Sequence, residues 1–245
     1  MTEPVALITG AARRIGAEIS HTLHDAGYRV VLHYHTSSAE VTQLAQALNE
    51  KRKDSALCLQ ADLSQISQVK QLAQQALARW QRMDLLVNNA SCFYPTPLHT
   101  AKESQWDELM ASNLKAPFFL AQALADALRK SHGCIINIAD IHGRRPLANH
   151  SIYAIAKAGN TMLTKSLALE LAPGVRVNGI APGAMLWPED SEGRELANPA
   201  ALKNIPLQSL GGARNIARAV IFLAAPDSYI TGHILTVDGG RSLRQ

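Results

Sequence analysis

The stretch Val5-Ala-Leu-Ile-Thr-Gly-Ala-Ala-Arg-Arg-Ile-Gly16 decides the fold. A short apolar run meets small residues and two glycines, and a helical pattern begins within a few positions, so the chain reads as strand, tight turn and helix. Backbone N–H groups at such a turn, with the dipole of the following helix, can receive a pyrophosphate. With Gly10 and Gly16 alone the turn departs from G-x-G-x-x-G, which leaves a plain strand-to-helix turn open at this point.

Outward from this unit, short β-branched runs alternate with longer helical patterns. Strands are expected at 5–9, 29–34, 56–60, 85–88, 134–138, 176–180 and 234–237, with helices near 14–26, 38–51, 65–80, 103–130, 151–172 and 212–224. Seven strands with helical crossovers predict one α/β domain over residues 1–245, a Rossmann-like, doubly wound parallel sheet. In such sheets ligands bind at the carboxyl ends of the strands.

Composition agrees: 245 residues, 47% hydrophobic and 5% aromatic, suffice for a sizeable core. The net charge is +4, but the basic residues are scattered, and the densest cluster, Lys51-Arg52-Lys53, sits between Glu50 and Asp54 as an expected solvated loop. Without a basic stripe interleaved with aromatics, no nucleic-acid partner is expected. Cys58, Cys92 and Cys134 show no C-x-x-C or metal-ligand spacing, which predicts buried, reduced thiols in a cytoplasmic protein and no metal. The opening Met-Thr-Glu-Pro carries no basic region before a long apolar segment, so neither a signal peptide nor a membrane span is expected.

The expected chemistry lies between Asp140 and Lys157, centred on Tyr153-Ala-Ile-Ala-Lys157. Residues four apart share a helix face, so the phenol and the ammonium can face one pocket. A nearby cation stabilises phenolate and is expected to lower the tyrosine pKa towards neutrality.

The turn at Thr9-Gly10-Ala11-Ala12-Arg13-Arg14-Ile15-Gly16 resembles the T-G-x-x-x-G-x-G turn of the short-chain dehydrogenase/reductase family, with Arg14 in place of the middle glycine. Asp62, Asn88-Asn89-Ala90, Asn113, Tyr153, Lys157 and Pro182-Gly183 follow in the family's order over nearly the whole chain. The resemblance implies a dinucleotide held at Gly10, Arg13, Arg14 and Ile15, with Asp62 and Leu63 at its adenine end. Asn89, Ala90 and Ser91 would line the cleft, and Pro182-Gly183 would abut the nicotinamide. Tyr153, Lys157 and Asn113 would form the proton-transfer set, with Lys157 also holding ribose hydroxyls.

The cofactor choice has a physical argument of its own. An NAD site carries an acid after the second strand for the ribose 2′-OH. Here that region reads His33-Tyr34-His35-Thr36-Ser37-Ser38, and no acid appears before Glu40. Imidazoles, hydroxyls and backbone N–H groups can accept a 2′-phosphate, with Arg13 as a cationic partner, so NADPH is expected.

Two departures narrow the substrate. Most members place a serine thirteen residues before the tyrosine, whereas this chain has Asp140, whose carboxylate accepts N–H donors and disfavours a developing alkoxide. With Arg14, it makes the chain similar to the pteridine reductase branch of the family. The stretch Asn89-Ala90-Ser91-Cys92-Phe93-Tyr94-Pro95-Thr96-Pro97-Leu98 resembles that branch's pterin-binding segment, and His33-Tyr34-His35 its cofactor-phosphate loop. By resemblance Phe93 would stack on the pterin, Ser91 and Arg14 would hold it, and Asp140 with Tyr153 would protonate it. Better-known members carry an arginine where Thr36 stands. A substrate loop is expected at 184–210, including Leu186 and Trp187. A carbonyl reductase acting on 3-oxoacyl thioesters, a nucleotide-sensing protein without turnover, and a preference for dihydromonapterin or dihydrofolate over biopterin-type pterins stay open as alternatives. The resemblance further implies a homotetramer pairing helices near 103–130 and 151–172, with Arg244 of the tail a candidate to reach a neighbouring site.

Overall fold

The computed structural model describes residues 3–189 and 194–244. Seven strands run parallel in one sheet: β1 (Val5–Ile8), β2 (Arg29–Tyr34), β3 (Ala56–Gln60), β4 (Leu85–Asn88), β5 (Cys134–Ile138), β6 (Arg176–Pro182) and β7 (Ile234–Val237), in the order β3-β2-β1-β4-β5-β6-β7. The order reverses between β1 and β4. That reversal opens a crevice at the strands' carboxyl ends, where this architecture receives ligands.

Alternation along each central strand builds two cores. Ala6 and Ile8 of β1, Val30 and Leu32 of β2, and Ile136 and Ile138 of β5 face one layer, which holds α1 (Arg14–Asp25), α2 (Ser38–Lys51) and α7 (Ala213–Ala224). Val5, Leu7, Val31 and Ile135 face the other, with α3 (Ile66–Trp80), α5 (Ala116–Ser131) and α6 (Ser151–Leu171). Burial on both faces explains the near-continuous apolar strands. Cys134 is buried, whereas Cys58 and Cys92 are only half-buried; all three are free. Burial raises each thiol's pKa, that of Cys134 to about 12.

Two expectations are corrected. The helix expected over 103–130 is divided into α4 (Glu103–Met110), a π turn at Ala111–Lys115 and α5. Asn113 lies in the π turn, where its Nδ2 donates to the Leu109 and Cys92 carbonyls at 2.9 and 3.0 Å, an interaction that competes with the regular helical ladder. The basic cluster is not simply solvated either: Arg52 donates to the carbonyls of His24 and Tyr28 and pairs with Glu3, tying α1 to β2. Among the described residues no helix is long and apolar enough to cross a membrane.

Candidate active site

The loop after β1 closes on itself. Gly10 takes φ +62°, and a Cβ added at Gly16 would lie 2.0 Å from the Gly10 carbonyl oxygen and 2.8 Å from Asn89 Nδ2. Asn89 donates from Nδ2 to the Thr9 and Gly10 carbonyls (2.9 and 3.1 Å), while the Thr9 hydroxyl accepts the Asn89 and Ala90 N–H groups (2.9 and 3.0 Å). The ends of β1 and β4 are thus bonded into one rigid floor. A cleft of about 850 Å³ lies over it, lined by Gly10, Arg13, Arg14, Ile15, Asp62, Leu63, Asn89, Ala90 and Ser91. Backbone exposed by glycine beside a helix N-terminus fits a dinucleotide's phosphates. Hydrogen bonds from Ser64 keep the Asp62 carboxyl below the usual pKa, so it stays ionised as a hydrogen-bond acceptor at the edge of this cleft.

The expected phosphate loop divides. His33 is buried in β2; its Nδ1 accepts the Gly10 N–H (3.1 Å), and its Nε2 faces the Ala61 carbonyl (3.1 Å), which assigns the proton to Nε2. Burial pushes its pKa down to about 4. His33 is therefore a neutral brace for the glycine turn and also lines the cleft, so that it can offer a phosphate no charge of its own. Tyr34 packs against the core, and neither Thr36 nor Ser37 lines the cleft; His33 and His35 do.

Arg14 stands at φ +54°, in the left-handed region that favours glycine. Its Nη1 pairs with Glu189 at 2.7 Å and its Nη2 donates to the Trp187 carbonyl at 2.7 Å. Arg13 pairs with the same Glu189 at 2.5 Å and lies 4.0 Å from Glu40. One carboxylate from the far wall bridges both arginines, a role the sequence offered no spacing to reveal because the partners are more than 170 positions apart.

A second hollow of about 800 Å³ continues from Arg14 and is lined by Ser91, Phe93, Asp140, Tyr153, Lys157, Pro182, Gly183, Leu186 and Trp187. Asp140 leaves β5; its Oδ1 accepts the His142 N–H at 2.8 Å and its Oδ2 accepts the Tyr153 hydroxyl at 2.7 Å. Burial, then the Asp140 charge and its hydrogen bond to the phenol, raise the Tyr153 pKa well above the usual value. This reverses the expected lowering by Lys157, whose Nζ is 5.7 Å from the Tyr153 ring centroid and donates instead to the Ile138 carbonyl at 2.8 Å. Burial pushes the Lys157 pKa down to about 8, although Asp140 opposes the shift. Ser91 donates to Asn113 Oδ1 at 2.7 Å, and Asn160 Nδ2 donates to the Asn113 carbonyl at 2.9 Å.

Phe93 is 54% exposed. One of its faces stacks on His150 (centroids 4.8 Å apart, 14° between planes), and it meets Tyr153 edge to face at 4.8 Å. His150 escaped the sequence reading, although it lies three residues, almost one helical turn, before Tyr153. Arg244, the tail residue expected to reach a neighbour, donates to the Lys203 carbonyl of its own chain. Arg241 lines the second hollow instead.

The sequence profile described as enoyl-(acyl carrier protein) reductase matches residues 10–242. The chain belongs to the short-chain dehydrogenase/reductase family. Pteridine reductase 1 of Leishmania tarentolae is 38% identical, with 99% of this chain and 97% of that protein covered. The 3-oxoacyl-[acyl-carrier-protein] reductases of Staphylococcus aureus (strain Mu50) and Escherichia coli (strain K12) are each 34% identical, with 96% of both chains covered. Membership of this family makes the protein an oxidoreductase that uses a nicotinamide cofactor.

Proposed function

We propose that the protein is an NADPH-dependent pteridine reductase. The observation that carries this reading is the carboxylate of Asp140, 2.7 Å from the Tyr153 hydroxyl in a hollow walled by the exposed ring of Phe93. An acceptor-only group suits a ring with N–H donors and opposes a simple alkoxide. Phe93 supplies a flat apolar face, and offset stacking of flat rings contributes about 0.5–1.5 kcal/mol beyond burial. The 38% identical pteridine reductase supports the same reading. A basic Arg13 and the lack of an acid between the end of β2 and Glu40 favour NADPH over NADH.

When bound, the nicotinamide supplies the hydride to a pterin ring carbon. Tyr153, whose raised pKa keeps the phenol protonated, delivers the proton to the adjacent ring nitrogen, and Asp140, which accepts the phenol's hydrogen bond, relays a replacement proton from water. Lys157 has donors beyond the one held by Ile138 and directs them to ribose hydroxyls. Asn113, fixed by Ser91 and Asn160, supports the path by which water restores the proton. Arg14 and Phe93 hold the ring, and residues 184–189 and 194–210 cover it; the rest of the expected loop, 190–193, lies outside the described residues.

A second reading is reduction of a 3-oxoacyl thioester, favoured by the 34% identical carrier-protein reductases. Side-by-side assay of NADPH oxidation with dihydrobiopterin, oxidised biopterin and a 3-oxoacyl thioester separates them. Turnover of the pterins alone supports the proposal; turnover of the thioester alone replaces it.

A further inference from the structure

Glu189 takes hold of both arginines of the turn between β1 and α1. Its Oε2 accepts from Arg13 Nη2 at 2.5 Å, and its Oε1 pairs with Arg14 Nη1 at 2.7 Å. All three residues line the cleft that lies over that turn. The chain around the carboxylate fixes its position. Glu189 forms an antiparallel bridge with Glu195, the Leu196 N–H donates to the Pro188 carbonyl at 2.7 Å, and the Trp187 carbonyl accepts from Arg14 Nη2 at 2.7 Å. A segment leaving β6 thus sets an acid against the start of α1, a helix with no acid in its own first turn and no side-chain cap. A helix start flanked by two guanidiniums holds an anion. Here that anion is the protein's own carboxylate.

A guanidinium already bound to a carboxylate must release it before it can serve a phosphate. Arg13 also lies 4.0 Å from Glu40, in the first turn of α2, the helix that follows β2. In this architecture the cofactor's adenosine ribose sits just beyond the end of the second strand, so Arg13 stands where a 2′-phosphate arrives. A phosphate dianion, with more charge and more acceptor oxygens than a carboxylate, displaces Glu189 from Arg13. The exchange costs the bond to Glu189. Side-chain exposures of 45% for Arg13 and 24% for Glu189 keep that bond modest, worth about tenfold in affinity. NADH brings no 2′-phosphate and has no need of the exchange.

We infer that Glu189 is an intramolecular rival of the cofactor's 2′-phosphate for Arg13, and so sets how tightly the site holds NADPH and how strongly it prefers NADPH to NADH. The inference rests on the NADPH reading above. Its test is calorimetric titration of the protein with NADPH and with NADH, which differ by the 2′-phosphate alone. For Glu189→Gln, which keeps the side chain's shape and removes its charge, the Kd for NADPH falls about tenfold while that for NADH changes less than about threefold. A double-mutant cycle shows whether Glu189 acts through Arg13: added to Arg13→Gln, the same substitution leaves the NADPH Kd within about twofold. A general loosening of the wall would move both cofactors and would not depend on Arg13. An unchanged or raised NADPH Kd for Glu189→Gln, an equal fall for NADH, or a fall that persists without Arg13 overturns the inference and leaves the NADPH reading standing. Failure of the unaltered protein and the variant alike to prefer NADPH removes that reading together with the inference.

Discussion

Arg14 combines two opposed demands at one position. Its φ of +54° costs an L-residue about 1–2 kcal/mol relative to glycine, yet its guanidinium is the group that reaches across the cleft. Arg14→Gly should therefore keep or raise the melting temperature, by up to about 2–4 °C per kcal/mol in a domain of this size, while the KM for pterin rises about tenfold. Thermal unfolding and steady-state kinetics on one preparation check both halves. Asp140→Ala should lower pterin turnover at least about a hundredfold and leave NADPH affinity within about twofold, as read by cofactor fluorescence titration; intact turnover would remove the carboxylate from the chemistry. Lys157, with its pKa pushed down to about 8 by burial, is charged below that pH and neutral above it, whereas Tyr153, with its pKa raised, keeps its proton throughout. NADPH affinity of the free enzyme should consequently fall as pH rises from about 7 to about 9, following the loss of the ammonium that holds ribose. A flat affinity over that range would show that Lys157 does not serve the cofactor in its charged form. That Asp140, Tyr153 and Lys157 share one hollow was legible because the first follows a strand end and the other two stand along one helix face. The direction of the Tyr153 shift was not, because burial and the Asp140 contact belong to the fold rather than to the spacing.

At the level of elements, the turn between β1 and α1 is the part least able to change. A methyl at Gly16 would enter the space of the Gly10 carbonyl at 2.0 Å, and neither that carbonyl nor Asn89 is free to retreat. Gly16→Ala should abolish NADPH binding and lower stability by about 1–3 kcal/mol, measured by calorimetric titration and chemical denaturation. Strands and most helices were legible because their apolar periodicity is set locally. The π turn was not. The 103–130 segment keeps a helical pattern throughout, and the helix opens at Asn113 because that side chain bonds Cys92 while Asn160 bonds its carbonyl, partners contributed by remote elements. For the same reason, the bridge made by Glu189 between Arg13 and Arg14 has no trace in local sequence.

On the scale of the whole molecule, two apolar cores and one sheet leave a conspicuous remainder on the outside. Ile155, Met162 and Leu169 recur every seven residues along α6 and are 49%, 60% and 83% exposed, and Phe118 of α5 is 40% exposed. A heptad stripe without a cover is suited to pairing with another copy of the chain. We propose a homotetramer assembled through α5 and α6, expected to elute with a light-scattering mass about four times 26.5 kDa. Met162→Glu should reduce that mass, and a monomeric mass for the unaltered protein would contradict the assembly. The central claim, that Asp140 and Phe93 turn a shared family scaffold towards pterins, is tested most directly by NADPH oxidation in the presence of dihydrobiopterin or a 3-oxoacyl thioester. Saturable turnover of the pterin and none of the thioester is the predicted result; turnover of the thioester alone would contradict it.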